Sequence, residues 1–439
     1  MTTGVTSKKN KLFSASSGGN SARCFLLLLL FGLFLRMLLM PFFCHVDFLS
    51  EMRRVYATLE AGYYFPGRTR LVVYFVEMFF MRIFLPVLPD AQTMYFLAAG
   101  TDTTADLASY SLFVGDPYIF RTLFLLKIPY LLFDLATAVV LYLLFAGKKK
   151  QMVAVACWLF NPITLYSFYI FGRYESIAIF FIAMSIFMLQ REKMIWAAIM
   201  LGMAVNSREI YIFLLPLFVL AHVSLSRRWH ENIKRICLSA LPLIVMLLLP
   251  RFVQKVFALH TFFSGSHPVV AKEIGRFWGL HLHWLSPFFA AYAIICLWLV
   301  ENTNDSVLYR YLLASGLTIG SFLFSCTHSA HYASWLVIFP VCMLYFDHHT
   351  VFAFILFCCS WLVFWLFNTD AGVFTLFLAS PVHKSLFAYK TIPELYSQFA
   401  DLRGLPNLQY IKWFLHTMYA VSIGYLMFSM ARRPVNGRA

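Results

Sequence analysis

Asp47 stands directly after a long apolar run, among Phe42, Phe43 and Phe48. A carboxylate at such a boundary loses part of its hydration, which raises its proton affinity and suits it to act as a general base. The structural alternative is an interfacial acid that marks a helix end. Lys127 and Asp134 lie seven residues apart in a second apolar run, with Pro129 between them, so on a helix they share one side. Ionisable groups inside apolar runs are costly and are retained where they line a cavity or pair. Lys127 is placed to meet a phosphate; the alternative is an ion pair that packs two helices.

Gly172-Arg173-Tyr174-Glu175-Ser176 reads as a tight turn between two apolar runs, preceded by Asn161-Pro162. Glycine permits the reversal. Arg173 and Glu175 would project toward the same space as Asp47, or else belong to a solvated turn. Arg208 and Glu209 fall between two short apolar runs, where an arginine can grip a phosphate through two parallel hydrogen bonds or simply snorkel to the surface. His328 and His331 are spaced i, i+3, which would suit a metal, but neither a third histidine nor a carboxylate lies nearby in sequence. No metal is expected, and both histidines are read as hydrogen-bond donors to sugar or phosphate. His281 and His283 are weaker candidates of the same kind.

What holds these residues is set by composition. Of 439 residues, 61% are hydrophobic and 13% charged, whereas soluble domains are roughly 45–50% apolar. Apolar runs of about 15 to 25 residues recur along almost the whole length, each bounded by charges or by Pro, Gly and Asn. A net charge of +15 would suit nucleic acid in a soluble protein. Here the basic residues cluster between apolar runs, at Lys148 to Lys150, Arg227 and Arg228, Lys234 and Arg235, and Arg432 and Arg433, which is the positive-inside pattern. Membrane lipid, not nucleic acid, is the expected partner. The nine cysteines contain no CxxC pair and are read as small buried hydrophobes.

Residues 1–22 are expected to form a disordered cytoplasmic tail, 23–431 one membrane domain, and 432–439 a second cytoplasmic tail. The expected spans are 24–43, 121–146, 152–171, 176–190, 194–206, 210–223, 237–250, 284–300, 308–326, 330–346, 351–367 and 410–430. They make an all-α polytopic membrane protein of about 12 transmembrane helices, with both termini cytoplasmic. Residues 44–118 form a long first extracytoplasmic loop, in which 71–88 is expected as a helix along the outer interface, because Glu77 and Arg82 suit a surface. The two spans meeting at Asn206-Ser207-Arg208-Glu209 are short for a bilayer. Long loops lie outside and short basic ones inside, so the chemistry is expected on the outer side.

With these residues in view, the chain resembles the GT-C superfamily of polytopic glycosyltransferases, which use a polyprenyl-phosphate sugar as donor. His45-Val46-Asp47-Phe48 looks like the family's acidic motif in the first outer loop. Lys127-Ile128-Pro129, followed by Asp134 and Ala136, looks like its second-span pattern. Trp158-Leu159-Phe160-Asn161-Pro162, continuing to Gly172-Arg173-Tyr174-Glu175-Ser176, is similar to a run in the mannosyltransferase branch. His331-Tyr332-Ala333-Ser334-Trp335, ending at Pro340, looks like that branch's late aromatic motif. The nearest branch contains the first mannosyltransferase of glycosylphosphatidylinositol anchor assembly and related prokaryotic enzymes. Its first-loop motif usually carries two acids, and His45 stands in the first place here.

The resemblance implies a hexosyltransferase, with mannose the expected sugar. It would move one hexose from a polyprenyl-phosphate carrier to a lipid, glycan or protein acceptor on the extracytoplasmic side, with inversion. Asp47 would be the base, and Lys127, Arg173, Glu175, Arg208, His328 and His331 would contact the donor phosphate or substrate. No cofactor is implied beyond the lipid-linked donor. The membrane would be that of a bacterial or archaeal cell, or the endoplasmic reticulum. Two other classes fit the same residues. A secondary transporter also has short helices and intramembrane charges, although a first loop of about 75 residues has no counterpart in the second half. A non-catalytic assembly subunit would keep the fold and lack the reaction.

Overall fold

The computed structural model of the chain describes residues 18–61, 70–89, 115–224, 228–256, 282–325, 330–346, 350–368, 379, 381–383, 386, 392–403 and 406–432. Every regular element among the described residues is a helix. In hydrocarbon each backbone N–H and C=O must bond within its own segment, so apolar runs of this length have little alternative. In chain order the helices are α1 Gly18–Leu39, α2 Val46–Ala61, α3 Leu71–Phe84, α4 Ile119–Leu144, α5 Gln151–Leu159, α6 Pro162–Leu165, α7 Glu175–Gln190, α8 Met194–Val205, α9 Leu214–His222, α10 Trp229–Val256, α11 Leu282–Glu301, α12 Val307–Ser325, α13 Ser334–Met343, α14 Thr350–Asn368, α15 Ile392–Arg403 and α16 Leu408–Ala431. A π-helical turn, Tyr166–Ile170, continues α6, and 3-10 turns at Glu209–Phe213 and Ala330–Ala333 lead into α9 and α13.

Among the described residues, seven segments are long and apolar enough to cross a membrane: Ser21–Leu39, Ile119–Leu144, Gln151–Ile170, Trp229–Pro250, Val307–Ser325, Thr350–Phe367 and Leu408–Ala431. Shorter apolar helices at Glu175–Gln190, Met194–Val205, Glu209–His222, Pro287–Glu301 and Ala330–Met343 occupy the five remaining positions where the sequence suggests spans. At about 1.5 Å per residue, the 12 residues of α8 reach only roughly 18 Å. The apolar windows of α1 and α10 are each only 11% buried, and large apolar side chains stand exposed along both, as at Leu27, Phe34, Leu241 and Val245. Apolar surface of this extent needs lipid around it. The chain is a multi-pass helical membrane protein.

The interior is formed by α4, α7, α12 and α13, and α12 is 78% buried over its apolar window. Small residues let neighbours close in. At Gly202 on α8 a Cβ would stand 2.5 Å from the Met246 Cβ of α10, so only glycine permits that approach. One buried polar network ties α1, α4 and α5. Asp134 accepts from Arg36 Nε (2.6 Å), Trp158 Nε1 (2.8 Å) and the Tyr169 hydroxyl (2.6 Å), while Arg36 also donates to the carbonyls of Gly32 and Leu159. These partners neutralise a charge pair that would otherwise be prohibitive at 0% exposure.

Three sequence expectations change. The segment expected as a first outer loop contains α2, which the sequence reading does not include, although Phe48, Leu49, Met52, Val55 and Tyr56 bury one face at helical spacing. Helix α10 begins at Trp229, well before the expected 237, because its first turns carry exposed charges into solvent. Glu77 of α3 is buried and accepts from the Tyr130 hydroxyl at 2.6 Å, whereas Phe75, Phe79 and Ile83 are exposed. Arg82 is exposed as expected, so of the two charges only Glu77 departs from the surface placement, and the outward face is apolar apart from Arg82. Residues 1–17 of the expected tail, 433–439 of the other, and 62–69 and 90–114 of the first loop lie outside the described residues.

Candidate functional site

Two segments must meet to build the site: the connection from α1 to α2, which carries Asp47, and the turn from the π-helical residues to α7, which carries Arg173 and Glu175. Lys127 joins them. Its ammonium donates to the carbonyls of Met40 (2.9 Å) and Phe43 beyond the end of α1, and to that of Tyr169 (2.7 Å) in the π-helical turn. An ammonium has three N–H donors, and these are the three acceptors. The phosphate role expected for Lys127 is thus corrected: the side chain is 0% exposed and spent on backbone carbonyls.

The turn itself follows from local chemistry. Asn161 caps α6 through its Oδ1, which accepts from the backbone N–H of Ile163 (2.8 Å) and Thr164 (3.3 Å), and Pro162 occupies the first helical position. The following π-helical turn brings the Arg173 N–H to the Ser167 carbonyl at 2.8 Å. Gly172 adopts φ +83°, and a Cβ there would meet Phe48 Cγ at 3.1 Å. Glycine is required both by that backbone angle and by the ring of Phe48 against it. Phe171, one residue earlier, stacks on His45 with ring centres 3.8 Å apart.

Asp47 lies in the first turn of α2. Its side chain is 51% exposed, so it is more open to water than the boundary setting in the sequence implies, and Arg173 approaches its Oδ2 at 3.4 Å. His45 Nδ1 accepts the Asp47 backbone N–H at 3.0 Å. Burial pushes the His45 imidazole down to about 4, the nearby Arg173 charge acting in the same direction and Asp47 against it. The ring is therefore neutral at ordinary pH.

Behind Asp47 the charges condense around one phenol. The guanidinium carbons of Arg70, Arg173 and Arg208 stand 4.8, 5.2 and 5.7 Å from the centre of the Tyr174 ring. Arg208 donates to the Tyr174 hydroxyl at 2.7 Å and also lies 4.8 Å from the Trp335 ring centre. Glu175 is fully buried, with Arg173 Nε 3.7 Å and Arg208 3.8 Å from the same oxygen. Arg70 pairs with Glu51 of α2 and, at 3.7 Å, with Glu209. Both Glu175 oxygens and the Nε atoms of Arg70 and Arg173 have no hydrogen bond among the described residues. Each guanidinium thus faces a ring and a carboxylate while retaining donor capacity. That combination suits a phosphate or a sugar hydroxyl.

Asp47, Arg173, Glu175 and Arg208 therefore come together. His331 is buried next to them, its ring 4.2 Å from Phe171 and 4.2 Å from Tyr332, and its carbonyl accepts from Ser167 and Ser334. His328 lies outside the described residues, as does His281. Glu51, Arg70 and Tyr174 were not foreseen as site residues. Glu51 could have been found, since it stands one helical turn after Asp47 once α2 is recognised. Arg70 carries no such signal, because only the packing of α3 brings it to Tyr174. Among the described residues no group of three or more His, Cys, Asp or Glu side chains is placed to hold a metal ion. A scan against models of known protein families and a search of curated proteins find no match to this chain.

Proposed function

We propose that the chain is a GT-C type glycosyltransferase that moves one hexose, mannose in the first instance, from a polyprenyl-phosphate carrier to an acceptor on the extracytoplasmic side of its membrane. In this reading all twelve apolar helices cross or enter the bilayer, and Asp47 and the arginines around Tyr174 lie near its outer face. The observation that carries the proposal is the half-exposed Asp47 carboxylate set 3.4 Å from Arg173, beside a buried arginine group. A base must reach solvent or substrate, and a leaving phosphate needs positive charge more than it needs a proton.

The acceptor hydroxyl gives its proton to Asp47 as its oxygen bonds to the anomeric carbon. The bond from that carbon to the phosphate oxygen breaks on the opposite face, so the configuration inverts. Negative charge grows on the departing lipid phosphate, and Arg208 and Arg173 offset it, with Arg70 adding a third positive field. Glu175 keeps the buried guanidiniums neutralised before the donor arrives.

The test is reconstitution in lipid vesicles with a panel of polyprenyl-phosphate-linked hexoses. Consumption of one of them is expected, with Asp47→Asn lowering turnover roughly 10²-fold or more at nearly unchanged donor binding. A panel left untouched by wild-type protein would end the proposal. An Asp47→Asn variant with normal turnover would remove Asp47 as the base.

A further inference from the structure

Helix N-caps are ordinarily Ser, Thr, Asp or Asn, whose short side chain accepts a backbone N–H two or three positions on. Directly before α2 the residue is histidine, and its Nδ1 accepts the Asp47 N–H at 3.0 Å. An imidazole nitrogen can accept only when it carries no proton, so the ring is neutral with its hydrogen on Nε2. The ring is 7% exposed and lies nearly parallel to Phe171, at 20° and 3.8 Å. Phe171 packs in turn on His331. The charged groups facing the imidazole are Asp47, whose Oδ1 is 3.8 Å from Nδ1, and Arg173.

These contacts answer a question that exposure raises. A carboxylate whose side chain is half in solvent has rotational freedom, yet a base must meet the acceptor hydroxyl within a few tenths of an ångström. The backbone from which it projects therefore has to be held. The helix begins at Val46, so no intrahelical carbonyl is available to the Asp47 N–H, and the imidazole is the acceptor that takes it. We infer that His45 is a positioning residue for Asp47: the neutral ring, clamped on Phe171, fixes the first turn of α2 so that the carboxylate projects beside Arg173. This rests on the reading of Asp47 as the base.

Two substitutions separate the parts of the contact. His45→Asn keeps an acceptor at the cap and removes the ring; His45→Phe keeps a ring against Phe171 and removes the acceptor. Full-length wild-type and variant proteins in lipid nanodiscs would be compared by amide hydrogen exchange over residues 45–52 and by transfer from the polyprenyl-phosphate hexose that the wild type consumes. In His45→Phe the Asp47 amide should lose protection, and kcat should fall about tenfold while the donor KM stays within about twofold. His45→Asn should keep the protection and restore part of kcat, since the acceptor returns without the ring that packs on Phe171. The inference is overturned if His45→Phe retains protection and wild-type kcat, or if His45→Asn exchanges and turns over as poorly as His45→Phe. Absence of transfer by the wild type overturns the proposed reaction instead, because hydrogen exchange still decides the cap.

Discussion

Arg208 and Lys127 look alike in the sequence, each a cation in apolar surroundings, and they end in different roles. Lys127 has its donors filled by three carbonyls. Among the described residues Arg208 makes one hydrogen bond, to Tyr174, and otherwise faces Glu175 and the rings of Tyr332 and Trp335. A planar guanidinium can stack and still present a fork of donors at its edge, which an ammonium cannot. Arg208→Ala should therefore weaken donor binding by about 1.5–3 kcal/mol, the loss of one charge-assisted contact. Arg208→Lys should recover only part of that. Titration of the nanodisc-embedded variants with lipid-linked sugar would measure it, and full recovery by lysine would mean that charge alone suffices.

At the scale of elements, the site depends on how the α1–α2 connection docks on the Gly172 turn. Besides the Asp47–Arg173 pair, that junction is held by Lys127 bridging Phe43 and Tyr169, His45 on Phe171, and Phe48 against Gly172. Gly172→Ala would add a Cβ at 3.1 Å from Phe48 and force an L-residue to φ +83°. The left-handed conformation alone costs roughly 1–2 kcal/mol, and the contact pushes α2 away from Arg173. Gly147 offers the control, since it has φ +75° with no atom within 4 Å of the added Cβ. Both alanine variants should lose about 1 kcal/mol or more of stability in thermal unfolding. Only Gly172→Ala should also lose most of its sugar transfer. Equal activity in the two would show that the junction tolerates displacement.

For the whole molecule, the distribution of basic residues and the lengths of the apolar helices together imply one orientation. Cysteines placed at positions 149 and 229 should label from the cytoplasm, and those at positions 60 and 390 from the other side. Helix α3 has 14 residues, roughly 21 Å, and its outward face is apolar apart from Arg82. Positions 66 and 92, beyond its two ends, should therefore label from the same outer side. Labelling of 60 from the cytoplasm would invert the molecule and place Asp47 on the wrong face, and 66 and 92 on opposite faces would make α3 a span.

That this is a helical membrane protein, and approximately where its helices lie, is legible in the order of residues, because apolar run length is a local property. That order also brought Arg173 and Glu175 together, since a glycine turn keeps near neighbours near. The pairing of Asp134 with Arg36, the conversion of Lys127 from a phosphate candidate into a tether, and the meeting of Arg70 and Arg208 on Tyr174 were decided by tertiary structure alone. Those contacts join residues from 34 to 104 positions apart, the widest being Arg70 with Tyr174 (174 − 70). The physical reason is that a buried charge goes where packing puts a partner. Burial and partners are set by which helices touch, which neither composition nor spacing encodes. His45 shows the boundary between the two: its place before Asp47 is plain in the sequence, but its neutral form comes from burial in the folded chain and its contact with the head of α2 from the Asp47 N–H that its Nδ1 accepts.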